Sequence, residues 1–127
     1  MYRTNILIAD TDASVRLSLT HLLEFCGYGV QAVRPGRDVL ACLAHGRFQL
    51  LLLEIDLPAY NGLLLLDAIR HAAPALPIII LTSCHDSHTA VSACQFTISS
   101  YLVKPINPAK LLQQIEQALA GDTLRFP

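Results

Sequence analysis

The sequence predicts an α/β domain: one parallel five-stranded sheet with helices on both faces. Three observations carry this expectation. Leu50–Leu53, inside FQLLLLEIDLPAYNG, is an unbroken apolar run that stops at Pro58 and Asn61-Gly62. Such a run marks a strand buried on both faces. Pro77–Thr82, PIIILT, is a second run of the same kind. Strand-like and helix-like stretches also alternate five times along the chain, which argues parallel strands joined by right-handed helical crossovers.

The elements follow in order. Asn5–Ala9 (NILIA) reads as a buried strand that ends at Asp10-Thr11-Asp12. A helix opens at Asp12 or Ala13, with Asp12 and Ser14 as candidate N-caps and Gly27 as its stop. Its apolar residues are Val15, Leu17, Leu19, Leu22, Leu23 and Phe25. Gly29–Val33 is a second strand. Pro35-Gly36 turns the chain into a short helix, Asp38–Ala44, ending at Gly46. Phe48–Glu54 is the third strand and Gly62–Ala72 the third helix, closed by Pro74 and Pro77. The four leucines Leu63–Leu66 span about 300° of the helix, so they do not all face one core, and Leu64 is the one expected outside. After the strand Pro77–Thr82 comes a weakly amphipathic helix, Asp86–Gln95, and then a short strand, Ser100–Val103. Pro108–Ala120 is the last helix, with Asn107 as N-cap, Pro108 at its first position and Gly121 as stop.

Composition excludes several classes of function. Of 127 residues, 53% are hydrophobic and 15% charged, with net charge −1, which fits a folded domain and leaves no basic footprint for nucleic acid or an anionic membrane. No apolar run approaches the ~20 residues of a membrane span. MYRTNILIAD enters a strand directly, without a signal-peptide pattern. Cys26, Cys42, Cys84 and Cys94 are widely spaced in apolar contexts, so they read as packed, reduced thiols of a cytoplasmic protein. His85 and His88 form a close pair without an evident third ligand, so zinc is not expected there.

In an open α/β sheet, chemistry collects at the carboxyl ends of the strands. Those ends carry Asp10, Thr11 and Asp12, then Glu54 and Asp56, then Thr82-Ser83, then Lys104-Pro105. Carboxylates, a hydroxyl and an ammonium thus converge on one rim.

The pieces ILIADTD, LLLLEIDLPAYNG, PIIILTS and SYLVKP, at these spacings, resemble a response-regulator receiver domain of two-component signalling. The resemblance covers residues 1–121 and leaves 122–127 as a tail. It implies a flavodoxin-like three-layer sandwich with sheet order 2-1-3-4-5. In that family an aspartate ending the third strand accepts a phosphoryl group from a histidine kinase, and acidic residues after the first strand help it to bind magnesium. The resemblance makes Glu54 the equivalent of the phosphoacceptor. It makes Asp10, Glu54 and Asp56 the metal positions, Asp56 through its backbone carbonyl with its side chain turned elsewhere. Thr82 and Lys104 become the phosphate contacts, Tyr101 the aromatic switch, and Lys104-Pro105 a cis peptide candidate. Partners implied are a histidine kinase or an effector domain. The helix Asp86–Gln95, the strand Ser100–Val103 and the helix Pro108–Ala120 form a face that often makes homodimers in the family.

Two departures fall inside this constellation. Thr11 replaces the second acidic residue, and Glu54 replaces the accepting aspartate. A hydroxyl brings no charge to a cation site, and magnesium requires near-octahedral oxygen geometry, so magnesium is expected to be weak or absent and no other cofactor is called for. Glu54 reaches roughly 1.5 Å further than aspartate, while phosphoryl transfer depends on fine positioning. That reach lets Glu54 pair with Lys104 and approach Thr82. The expected function is a pseudo-receiver that works by protein contact and is not an enzyme. The alternative is a magnesium-dependent phosphoacceptor. A flavodoxin-like nucleotide or flavin binder is disfavoured, because ADTDAS stands where a Gly-rich phosphate loop would lie.

Overall fold

The computed structural model describes residues 3–56, 62–83 and 98–121. The elements are β1 (Asn5–Ala9), α1 (Ala13–Phe25), β2 (Gly29–Val33), α2 (Arg37–His45), β3 (Leu50–Glu54), α3 (Gly62–Ala72), β4 (Ile78–Thr82), β5 (Ser100–Val103) and α4 (Pro108–Leu119). All strand pairs are parallel, and the order across the sheet is β2-β1-β3-β4-β5. The sequence-predicted helix Asp86–Gln95 and the pair His85 and His88 lie outside the described residues.

Period-two alternation divides the strands between two apolar layers. Leu7, Leu51, Leu53, Ile78 and Ile80 face Val39 of α2 and Leu65, Leu66 and Ile69 of α3. Ile6, Ile8, Leu50, Leu52, Ile79 and Leu81 face Leu19 and Leu23 of α1 and Leu111, Ile115 and Ala118 of α4. Every residue of β3 and β4 is buried. This buried strand pair sets the carboxyl rim at a fixed height between the helices.

Local chemistry sets the helix ends. Asp12 caps α1 by accepting from the Ser14 amide at 2.8 Å. Asn107 caps α4 by accepting from the Lys110 amide at 3.0 Å, with Pro108 opening the helix. Gly62 begins α3 against the chain leaving β3, where a Cβ would collide with the Ile55 carbonyl. A single nitrogen of Arg70 donates to the carbonyls of Ala73, Pro74 and Leu76 at 3.0, 3.0 and 2.8 Å, which ties down the return into β4.

Several expectations are corrected. β3 begins at Leu50, because Phe48 lies before the ladder and packs beside the α2–α3 layer. α2 begins one residue earlier and ends one residue later than its apolar spacing suggests. Leu17 and Phe25 do not belong to the buried stripe of α1. They are 58% and 91% exposed, since each lies about 200° around the helix from a buried leucine two residues away. Cys26 is exposed and not packed, and Cys42 is partly buried. Leu64 stands outside as its helix angle requires.

Candidate functional site

The rim assembles from the ends of β1, β3, β4 and β5. Asp10 follows Ala9 and is fully buried. Its amide donates to the Val33 carbonyl at 3.2 Å, and its carbonyl accepts from Arg16 Nη1 at 2.7 Å. The backbone of this aspartate is therefore pinned from both neighbours. Its Oδ1 accepts from the Asp12 amide at 2.9 Å. Its Oδ2 lies 2.8 Å from Lys104 Nζ. That contact is ionic without hydrogen-bond alignment, so Oδ2 has no aligned donor.

Glu54 closes β3, paired in register with Leu81. Its side chain is 8% exposed. Oε2 accepts from the Thr11 amide and from Thr11 Oγ1, both at 2.7 Å. Oε1 accepts from Lys104 Nζ at 3.0 Å. Lys104 reaches the rim because its amide extends the β4–β5 ladder, donating to the Thr82 carbonyl at 2.7 Å. The peptide bond between Lys104 and Pro105 is cis. The Lys104 ammonium bridges the two carboxylates that the first and third strands present.

Asp56 lies two residues beyond Glu54. Its Oδ1 accepts from Thr82 Oγ1 at 2.8 Å. Its Oδ2 accepts from the Ser83 amide at 2.5 Å and from Ser83 Oγ at 3.1 Å. This corrects two expectations: the Asp56 side chain turns back to the rim, and it is Asp56, not Glu54, that takes the Thr82 hydroxyl. The physical reason is that Thr11 and Lys104 draw both Glu54 oxygens to the β1 and β5 sides, which leaves the β4 side to the next carboxylate. Tyr101 is half-buried and packs against the α2–α3 layer. The Asp12 side chain is spent on capping α1, where it accepts from the Ser14 amide and hydroxyl.

Electrostatics follow from this packing. Burial pushes the Asp10 carboxyl above its ordinary 3.8, against the lowering pull of Lys104 and the Asp12 amide. Burial alone would depress the Lys104 ammonium, but its contacts with Asp10 and Glu54 outweigh that and hold it above 10.5. The Ser14 hydroxyl and amide hold Asp12 below 3.8.

The sequence reading missed the Thr11 contacts, the Arg16 clamp and the role of Ser83. The first was legible: a hydroxyl donor beside an over-long carboxylate is a matched pair. The others depend on three-dimensional approach and leave no spacing signal.

The chain matches the response regulator receiver domain family over residues 6–116. It belongs to that family. Among relatives of this receiver domain, the transcriptional regulatory protein ZraR of Salmonella typhimurium is 34% identical over 93% of the chain. The DNA-binding transcriptional regulator NtrC of the same organism is 35% identical over 94%. The chain spans only 27% and 26% of those two proteins. A CheY-like receiver domain structure from Methanospirillum hungatei superposes with TM-score 0.88 at 30% identity, covering 94% of this chain and 95% of that one. The structure of NtrX from Brucella abortus in complex with ADP aligns with TM-score 0.86 at 26% identity, covering 94% of this chain and 27% of that one.

Magnesium is the group the family implies, and the residues here do not fit it. Both oxygens of Glu54 already accept from internal donors, Thr11 supplies a hydroxyl that donates, and the Lys104 ammonium sits between Asp10 and Glu54. Among the described residues, no three acidic, His or Cys groups are arranged to hold a metal ion. No described helix is long and apolar enough to cross a membrane.

Proposed function

We propose that this receiver domain signals without being phosphorylated. The observation that carries the reading is the engagement of both Glu54 oxygens by the Thr11 amide, the Thr11 hydroxyl and Lys104. A carboxylate engaged in three charge-assisted hydrogen bonds is a poor nucleophile, because each bond must be given up before it attacks phosphorus. Thr11 and Glu54 support each other in this: the longer side chain reaches the donors, and the donors replace a charge that would repel it. Lys104 supplies the positive charge between Asp10 and Glu54, so the rim needs no divalent cation. The domain then acts by protein contact and not by turnover, with a histidine kinase or an output domain as the class of partner, in the cytoplasm. The homodimer face formed with β5 and α4 is part of the same reading. It carries no nucleic-acid contact of its own.

The alternative, a magnesium-dependent phosphoacceptor, makes the opposite forecast in one experiment. Amide spectra are recorded during a magnesium titration with and without beryllofluoride, which imitates a phosphoryl group on a carboxylate. Silence at Asp10, Glu54, Thr82 and Lys104 is expected. Saturable shifts that reach Tyr101 would overturn the reading. The double variant Thr11→Asp/Glu54→Asp is expected to become responsive, which shows that the assay detects a competent site.

A further inference from the structure

At the edge of the sheet opposite the rim, β3 and β4 begin beside an open groove of about 740 Å³. Part of its lining is the turn from α3 into β4. Pro74 and Pro77 have no N–H to offer there, and the carbonyls of Ala73, Pro74 and Leu76 already accept from Arg70. This stretch therefore has little left for water and presents apolar surface. Phe48 lines the groove too, with Leu43 from α2 and Leu119 from α4. A Cβ at Gly46 would lie 2.6 Å from the Phe48 ring, so the ring keeps its place because residue 46 is glycine. The loop that carries it is pinned at both ends. The Gly46 amide donates to the Cys42 carbonyl at 2.8 Å, and the Gln49 amide to the Asn5 carbonyl at 2.9 Å. Gln49 Oε1 is itself taken by the Asn5 amide at 2.7 Å. Arg47 is the charged residue of this lining; it is exposed, and among the described residues it has no acidic partner.

We infer that this groove binds an amphipathic carboxylate, an aliphatic or aromatic acid, with its apolar body on Phe48, Leu76 and the two prolines and its carboxylate on Arg47. Sites for small ligands are concave and mostly apolar, with a few polar groups that fix orientation, and the volume here falls within their range. Charge selects the acid. A guanidinium matches a carboxylate with two parallel hydrogen bonds. No aspartate or glutamate among the described residues lines the groove to repel an anion. An amine would meet Arg47 as a like charge, and a neutral ligand would leave it unused. Because the groove is open and Arg47 exposed, water screens the ion pair, and the apolar body supplies most of the affinity. The site gives the domain a ligand contact that does not pass through the rim, so it stands whether or not Glu54 accepts a phosphoryl group.

The test titrates octanoate into the whole chain and follows its amide spectrum. Saturable shifts are expected at Arg47, Phe48, Gln49, Leu76 and Leu119. Hexanoate is expected to bind about fivefold more weakly, because two CH₂ groups are lost from a half-shielded chain. Octanol and octylammonium, at the same chain length, are expected to bind more weakly than octanoate. Arg47→Gln alters an exposed side chain and leaves the core untouched; it is expected to weaken octanoate about fivefold and to abolish its advantage over octanol. Gly46→Ala displaces the Phe48 ring and is expected to weaken octanoate and octanol alike. Absence of saturable shifts in the wild type overturns the site. So does octanol binding as tightly as octanoate, or an advantage for octanoate that survives Arg47→Gln. Shifts at these amides that follow protein concentration and ignore octanoate would give the groove to a second copy of the chain, and the acid site would fall.

Discussion

β3 runs through two regions that are held by different forces. Leu50–Leu53 are all fully buried, divided between the two apolar layers. Their stabilisation is non-directional and follows the area removed from water. Glu54, one residue on, is nearly as buried, yet it is held by three directional bonds with fixed partners. The leucines tolerate exchange for any side chain of similar volume. Glu54 is matched to its donors, so a change there calls for a matching change at Thr11. Along this strand, a family's scaffold persists through composition, whereas its chemistry persists only through matched sets.

That contrast is open to attack by substitution. Leu52→Ala is expected to have the largest effect, a loss of about 2–5 kcal/mol in urea unfolding, because a cavity opens in a close-packed layer. A loss smaller than those at the rim would break the comparison. Lys104→Met is expected to cost about 3 kcal/mol, since it leaves two buried carboxylates without their cation. It carries a pH signature as well. The folded-state pKa of Lys104 lies above 10.5, so its contribution is fully present below 10.5 and is lost as pH rises through that higher folded value. The variant is expected to lack this part of the alkaline decline and to recover stability on acidification as Asp10 takes a proton. Denaturation midpoints across pH check both limbs. The smallest effect is expected for Thr11→Val, which keeps the volume and removes one donor, at about 1 kcal/mol. Equal losses for Thr11→Val in wild-type and Glu54→Gln backgrounds would mean that the pair is not coupled.

The scaffold was readable because burial writes itself into composition. LLLL and PIIILT name two central strands without ambiguity, and Asp12, Asn107 and Gly121 mark helix ends through local hydrogen bonding and glycine conformation. Leu17 and Phe25 misled because apolarity alone does not give the angle around a helix; they sit with the exposed face of α1. At the rim, residue types were legible but their partners were not. Glu54 with Lys104 followed from reach and charge. Asp56 with Thr82 and Ser83 did not, because which of two carboxylates takes a hydroxyl depends on how the first has been satisfied.

The paired bonds between Thr11 and Glu54 also bear on how such a sequence changes over generations. An acidic residue at 11 beside Glu54 would set carboxylate against carboxylate across the gap now spanned by two 2.7 Å hydrogen bonds. Aspartate at 54 beside Thr11 would end a methylene short of its donors and loosen its hold on Lys104. Each single change to aspartate is expected to cost stability, so the two positions behave as one coupled unit. Aspartate at both positions together avoids both costs, so the route back to an acidic pair runs through a double change.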